Sequence, residues 1–102
     1  MLRVMFAIAI CFLSALPAHA DRASALKAVM ADGPTVKDAR WMESGWLYVG
    51  VLNNGTRRDG FAEYICSVLA DNAVRGVFVK IVDIGAVVRN EKFEELGRAR
   101  CR

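Results

Sequence analysis

Two apolar runs with one helical pattern between them constrain this 102-residue chain most. The first, Trp46-Leu47-Tyr48-Val49-Gly50-Val51-Leu52, is apolar at odd and even positions alike. A strand of that kind belongs in the middle of a sheet, covered on both faces. The second, Val77-Phe78-Val79-Lys80-Ile81-Val82-Asp83-Ile84, is again a good strand. Between them Phe61, Tyr64, Ile65, Val68, Leu69 and Ala73 recur at spacings of three and four, the period of an amphipathic helix. Strand, helix and strand across about 40 residues make a βαβ unit. Its strands are expected to run parallel through a right-handed crossover, which puts both carboxyl ends at one edge of the sheet.

The flanks supply smaller elements. Asp21 to Ala31 is alanine-rich, carries apolar residues at mixed helical spacing, and stops at Asp32-Gly33-Pro34. Val36 to Met42 alternates poorly and reads as an edge strand, with Glu43-Ser44-Gly45 as a hairpin-sized turn. Gly85 to Asn90 reads as a connection. Glu91 to Cys101 reads as a final helix, with Phe93 and Leu96 inward and Glu94, Glu95, Arg98 and Arg100 outward. Its acids lead and its bases follow, as the helix dipole prefers. The expected fold is α+β (α/β-like): a small three-stranded sheet with a βαβ unit and helices packed on it, in the order α-β-β-α-β-α. Residues 21–102 form a single small domain without repeats or low-complexity linkers.

The strand before Asn54-Gly55, the helix after it and Gly76-Val77 somewhat resemble the BON domain of exported bacterial proteins, a family associated with membrane surfaces. In that family the turn leads into another strand. Here a helix follows, so the resemblance sets no expectation of fold or function.

The first twenty residues read as a secretory signal peptide. Arg3 gives a positive start, Val4 to Leu16 an apolar core, and Pro17-Ala18-His19-Ala20 an Ala-x-Ala cleavage site, so cleavage is expected between Ala20 and Asp21. This run of thirteen residues, interrupted mildly by Ser14, is short of the roughly 20 that a membrane span needs. Cys11, followed by the bulky Phe12, makes a poor lipidation site. Export places the domain in the periplasm or outside the cell.

Cleavage would leave 82 residues, with thirteen basic side chains against eleven acidic ones. That balance is too mild to argue for nucleic acid, and export argues against it further. Cleavage also removes His19, the only histidine. Without it, Ser-His-Asp and Cys-His catalysis, histidine-containing zinc sites and a histidine pH switch are excluded. Cys66 and Cys101 remain, and two cysteines in an exported domain most simply form one disulfide. The alternative is a reactive thiol at one of them.

The stretch Asn53-Asn54-Gly55-Thr56-Arg57-Arg58-Asp59-Gly60 joins the first strand to the helix. A helix start prefers negative charge, yet two arginines stand there. Thr56, or Asp59 itself, is the expected helix cap. Asn54, Thr56, Arg57, Arg58 and Asp83 could converge at the ligand-favoured edge of the sheet and hold a carboxylate or phosphate. The plainer possibility is that the arginines pair with nearby acids such as Asp59 or are simply solvated. Trp41 and Trp46 flank the hairpin turn and read as core fillers, or, if exposed, as contact residues. The basic tail Arg98, Arg100 and Arg102 could touch an acidic protein or an anionic envelope surface.

Taken together, these residues point to a small exported, non-enzymatic binding domain that needs no cofactor or metal and takes a protein or an anionic ligand. The alternatives are a small enzyme using a free Cys66 or the Arg/Asp cluster, and a subunit of a cell-envelope assembly held by the edge strand.

Overall fold

The computed structural model describes residues 19–102. The apolar core of the expected leader, with Cys11, lies outside the described residues. The elements are α1 (His19–Met30), β1 (Asp38–Trp41), β2 (Leu47–Val51), α2 (Asp59–Asp71), β3 (Phe78–Asp83), α3 (Ile84–Asn90) and β4 (Glu95–Arg100). The expected cleavage junction, Ala20–Asp21, falls in the first turn of α1.

One four-stranded sheet runs in the order β1-β2-β3-β4. β1 and β2 are antiparallel, with Ala39 opposite Val49 and Trp41 opposite Leu47. β2 and β3 are parallel, so the βαβ unit is present, and Val51 lies beside Asp83 at its carboxyl edge. β1 is an edge strand and β2 a central one, as the two patterns imply.

The chain departs from expectation at its end. Residues 95–100 form a fourth strand, antiparallel to β3 with Ile81 opposite Gly97 and Val79 opposite Ala99, where a helix over Glu91 to Cys101 is expected. The physical reason lies in the order Gly97-Arg98-Ala99-Arg100-Cys101-Arg102. Small and basic residues alternate there with a period of two, which suits a half-buried strand. Pairing also satisfies the backbone of β3, and tertiary pairing of this kind overrides local helix signals. The sheet therefore has four strands rather than three. The third helix lies earlier than expected, at Ile84–Asn90, where the Asp83 carboxylate caps it by accepting from Gly85 N at 2.9 Å and Ala86 N at 3.4 Å.

One face of the sheet carries the core. Leu47, Val49, Val51, Val79 and Ile81 meet Ala25 and Val29 of α1 and Ala62, Ile65 and Leu69 of α2. Cys66 on α2 is disulfide-bonded to Cys101 just after β4, with their Cα atoms 5.2 Å apart. The expected pairing is thus present, although a strand rather than a helix delivers Cys101 to it. α2 ends in a tight reverse turn in which Ala73 N donates to Ala70 O and Val74 N to Leu69 O, with Ala73 at φ 65°. Trp41 packs on the core side, and its indole Nε1–H donates to Arg22 O at 3.1 Å.

Candidate functional site

The loop Leu52–Arg58 leaves the carboxyl end of β2 and folds over the outer edge of β4. Arg58 N donates to Leu96 O at 2.9 Å, and Arg98 N donates to Asp59 Oδ1 at 2.9 Å. Two backbone groups that an edge strand would otherwise leave unpaired are thereby satisfied from the neighbouring loop. The approach is so close that a Cβ on Gly97 would lie 2.5 Å from Asp59 N and 2.6 Å from Arg58 O. Glycine is required there by space, since the obstructing atoms are backbone.

This geometry accounts for the two arginines at the helix start. Arg57 forks onto Asp59, with Nε to Oδ2 at 3.1 Å and Nη2 to Oδ1 at 2.8 Å, and its Nη2 lies 3.8 Å from Glu95 Oε2. Arg58 turns back and donates from Nη2 to Leu52 O at 3.0 Å. The Arg57 fork, then the Arg98 amide, hold the Asp59 carboxyl below the usual carboxylate range. Arg98 does the same for Glu95 by a bidentate contact, with Nη2 to Oε1 at 2.7 Å.

Of the residues expected to hold an anion, Asn54 folds the loop on itself, its Oδ1 accepting from Thr56 N and Oγ1, as the neighbouring Asn53 does by accepting at Oδ1 from Gly55 N. Thr56 is therefore not the helix cap. Arg58 occupies that position without a side-chain cap bond, and Asp59 is the first helical residue. Asp83 sits at the expected edge, but its carboxylate is committed to capping α3. The acids Asp59 and Glu95 stand beside Arg57, on the ground that a bound anion would need.

The sheet face opposite the core is a different surface. The register aligns Arg40, Tyr48, Lys80 and Arg98 in one row across all four strands. Trp46 and Phe78 stack beside that row at 4.5 Å and 13°, with Arg100 paired opposite Phe78. Cations accompany the rings: Lys80 Nζ lies 5.1 Å from the Tyr48 ring centre, Arg98 Cζ 5.7 Å from Trp46 and Arg100 Cζ 5.6 Å from Phe78. At one end α3 covers this face, seating Ile84 on Gly50, where a Cβ would lie 2.8 Å from Ile84 Cδ1. Beside it Tyr48, Met42, Val82, Val87 and Phe93 line a cavity of about 80 Å³. Over the aromatic and basic end no described element packs, and Trp46, Tyr48 and Phe78 are only half-buried.

Sequence reasoning placed Trp46 with Trp41 and the basic tail on a helix. A β4 strand puts Arg98 and Arg100 on the same face as Trp46 instead. The period-two alternation of residues 97–102 is the signal that finds them.

No family model matches this chain, and no curated protein or solved structure resembles it significantly. Among the described residues, no three potential metal-binding His, Cys, Asp or Glu side chains come together, and no helix is long and apolar enough to cross a membrane.

Proposed function

We propose that this chain is a small exported binding domain, acting in the periplasm or outside the cell, that receives a macromolecular partner on the open face of its sheet. The observation that carries the reading is the row Arg40-Tyr48-Lys80-Arg98 with the adjoining Trp46, Phe78 and Arg100. Aromatic and arginine side chains are enriched where binding energy concentrates. A contiguous half-exposed patch of this kind, clear of the core, has the composition of an interaction surface. The Cys66–Cys101 disulfide supports an oxidising compartment, because such bonds persist there and are rare in reducing ones. Catalysis is disfavoured, since residues 21–102 contain no histidine and both cysteines of that segment are committed to one another.

Intact mass of the protein recovered from the cell envelope, with and without reduction before thiol alkylation, tests the export half of this reading. The expected chain begins at Asp21 and alkylates only after reduction. A chain that retains Met1, or whose Cys66 alkylates freely, would overturn it and revive the thiol-enzyme alternative.

A further inference from the structure

We infer that the partner presents an extended acidic segment, with carboxylates at alternate residues, to the cations of the open sheet face. This deepens the binding reading above and rests on it. Arg98 and Arg100 lie two apart on β4, one paired opposite Lys80 and the other opposite Phe78, and Arg102 follows in the same alternation. Residues two apart on a strand repeat at about 6.6–6.8 Å, and so do alternate side chains of any extended chain. Carboxylates at every second position therefore match this spacing, whereas contiguous carboxylates point to opposite sides and waste half their charge.

The cations are prepared for that task. Arg100 rests beside the Phe78 ring, an arrangement that orders a guanidinium while leaving its N–H edge free, whereas Arg98 beside Trp46 turns its Nε and Nη2 onto Glu95. Among the described residues, Arg40, Lys80 and Arg100 have no carboxylate within salt-bridge distance, whereas Arg57 and Arg98 do. Charge complementarity thus selects an acidic partner.

Three other occupants fit less well. A second copy of this face would set Lys80, Arg98 and Arg100 against their own kind. Single-stranded nucleic acid binds by stacking bases on free aromatic faces. Here Trp46 and Phe78 stack on each other, with arginines beside them. An anionic bilayer would press on Phe93, which lies edge-on to Tyr48 at 5.2 Å and stands in the segment Glu91-Lys92-Phe93-Glu94-Glu95, where three acids outweigh one base.

The test is calorimetric titration of the oxidised protein with four probes. These are a short peptide bearing glutamate at every second position, an isomer with the same glutamates contiguous, phosphatidylglycerol vesicles and an oligothymidylate. The expected result is binding of the alternating peptide at least about tenfold tighter than its isomer. Lys80→Gln and Arg100→Gln should each weaken it several-fold, and Arg57→Gln should leave it unchanged. Lys80 and Arg100 make no salt bridge in the fold, so an unchanged urea midpoint shows that these variants remain folded. Equal binding of the two peptides, no peptide binding, or preference for vesicles or oligonucleotide would overturn the acidic-segment inference. If Lys80→Gln and Arg100→Gln abolish that other binding, the sheet-face reading survives. If the binding is indifferent to both variants, the sheet-face reading falls as well.

Discussion

Replacing Gly97 by alanine should cost far more stability than any other glycine-to-alanine change at a position with ordinary φ. The new Cβ would need to occupy space within 2.5 Å of Asp59 N and 2.6 Å of Arg58 O. Neither atom is the end of a flexible side chain, so the loop must lift from β4. Lifting it breaks the bond from Arg58 N to Leu96 O, a neutral pair worth about 1 kcal/mol net. It also leaves the Arg98 amide of the edge strand without its acceptor, a loss of about 1 kcal/mol for a backbone donor. Some of this loss is offset by the lower unfolded-state entropy of alanine, about 0.5 kcal/mol. The expected destabilisation is therefore about 1.5–2 kcal/mol. With a urea dependence near the low end of the usual range, about 1 kcal/mol per molar, the midpoint should fall by about 1.5–2 M. Urea unfolding of the oxidised protein followed by circular dichroism measures this. Gly60→Ala is the internal reference. It lies in the first turn of α2 with nothing within 4 Å, so it should be neutral or stabilising by a few tenths of a kcal/mol, roughly the helix-propensity gain. If both variants unfold at the same midpoint, the loop is not docked on β4 as described.

Further outcomes follow from the same structure. The disulfide closes a loop of 35 residues, which the chain-entropy relation values at about 4 kcal/mol. Reduction, or the double change Cys66→Ala and Cys101→Ala, should lower the urea midpoint by more than Gly97→Ala does. Ala73 sits at φ 65° in the turn that ends α2, so Ala73→Gly should raise stability by up to about 1 kcal/mol, read as a higher thermal midpoint. Asp59 and Glu95 both have carboxyl pKa values lowered in the folded state, the first chiefly by Arg57 and the second chiefly by Arg98. Their stabilisation is complete above the unfolded carboxylate pKa of about 4 and is lost as pH falls through the lower folded values. An acid titration of the urea midpoint should show this loss below about pH 4, and Asp59→Asn should flatten it.

The β2–α2–β3 unit was legible because burial and period agree there: Leu47, Val49, Val51, Val79 and Ile81 face the core, and Ile65 and Leu69 meet them from one helical stripe. The disulfide was legible from cysteine arithmetic and compartment alone. β4 was not, because Glu94, Glu95, Arg98 and Arg100 also satisfy a helix dipole, and only pairing with β3 decides between the two periods. The loop was ambiguous for a related reason. Its arginines carry a ligand-like composition, and although Asp59 and Leu52 O are local partners already within reach of them, Glu95 is brought beside Arg57 only by β4. The open face depended on β4 in turn, since Arg98 and Arg100 join Trp46 and Phe78 only once that strand is in place.

The central claim is that the sheet face, rather than the Asn53–Asp59 loop, receives the partner. The two tryptophans test it directly, because they lie on opposite faces: Trp41 is bonded to Arg22 O on the core side, and Trp46 is stacked on Phe78 on the open side. Two-dimensional amide NMR of the oxidised protein, titrated with the alternating-glutamate peptide, resolves both indole signals in one spectrum. The account predicts that the Trp46 indole and the amides of Tyr48, Lys80, Arg98 and Arg100 shift while the Trp41 indole stays still. Shifts confined to Asn53–Asp59, or a moving Trp41 with a still Trp46, would contradict it.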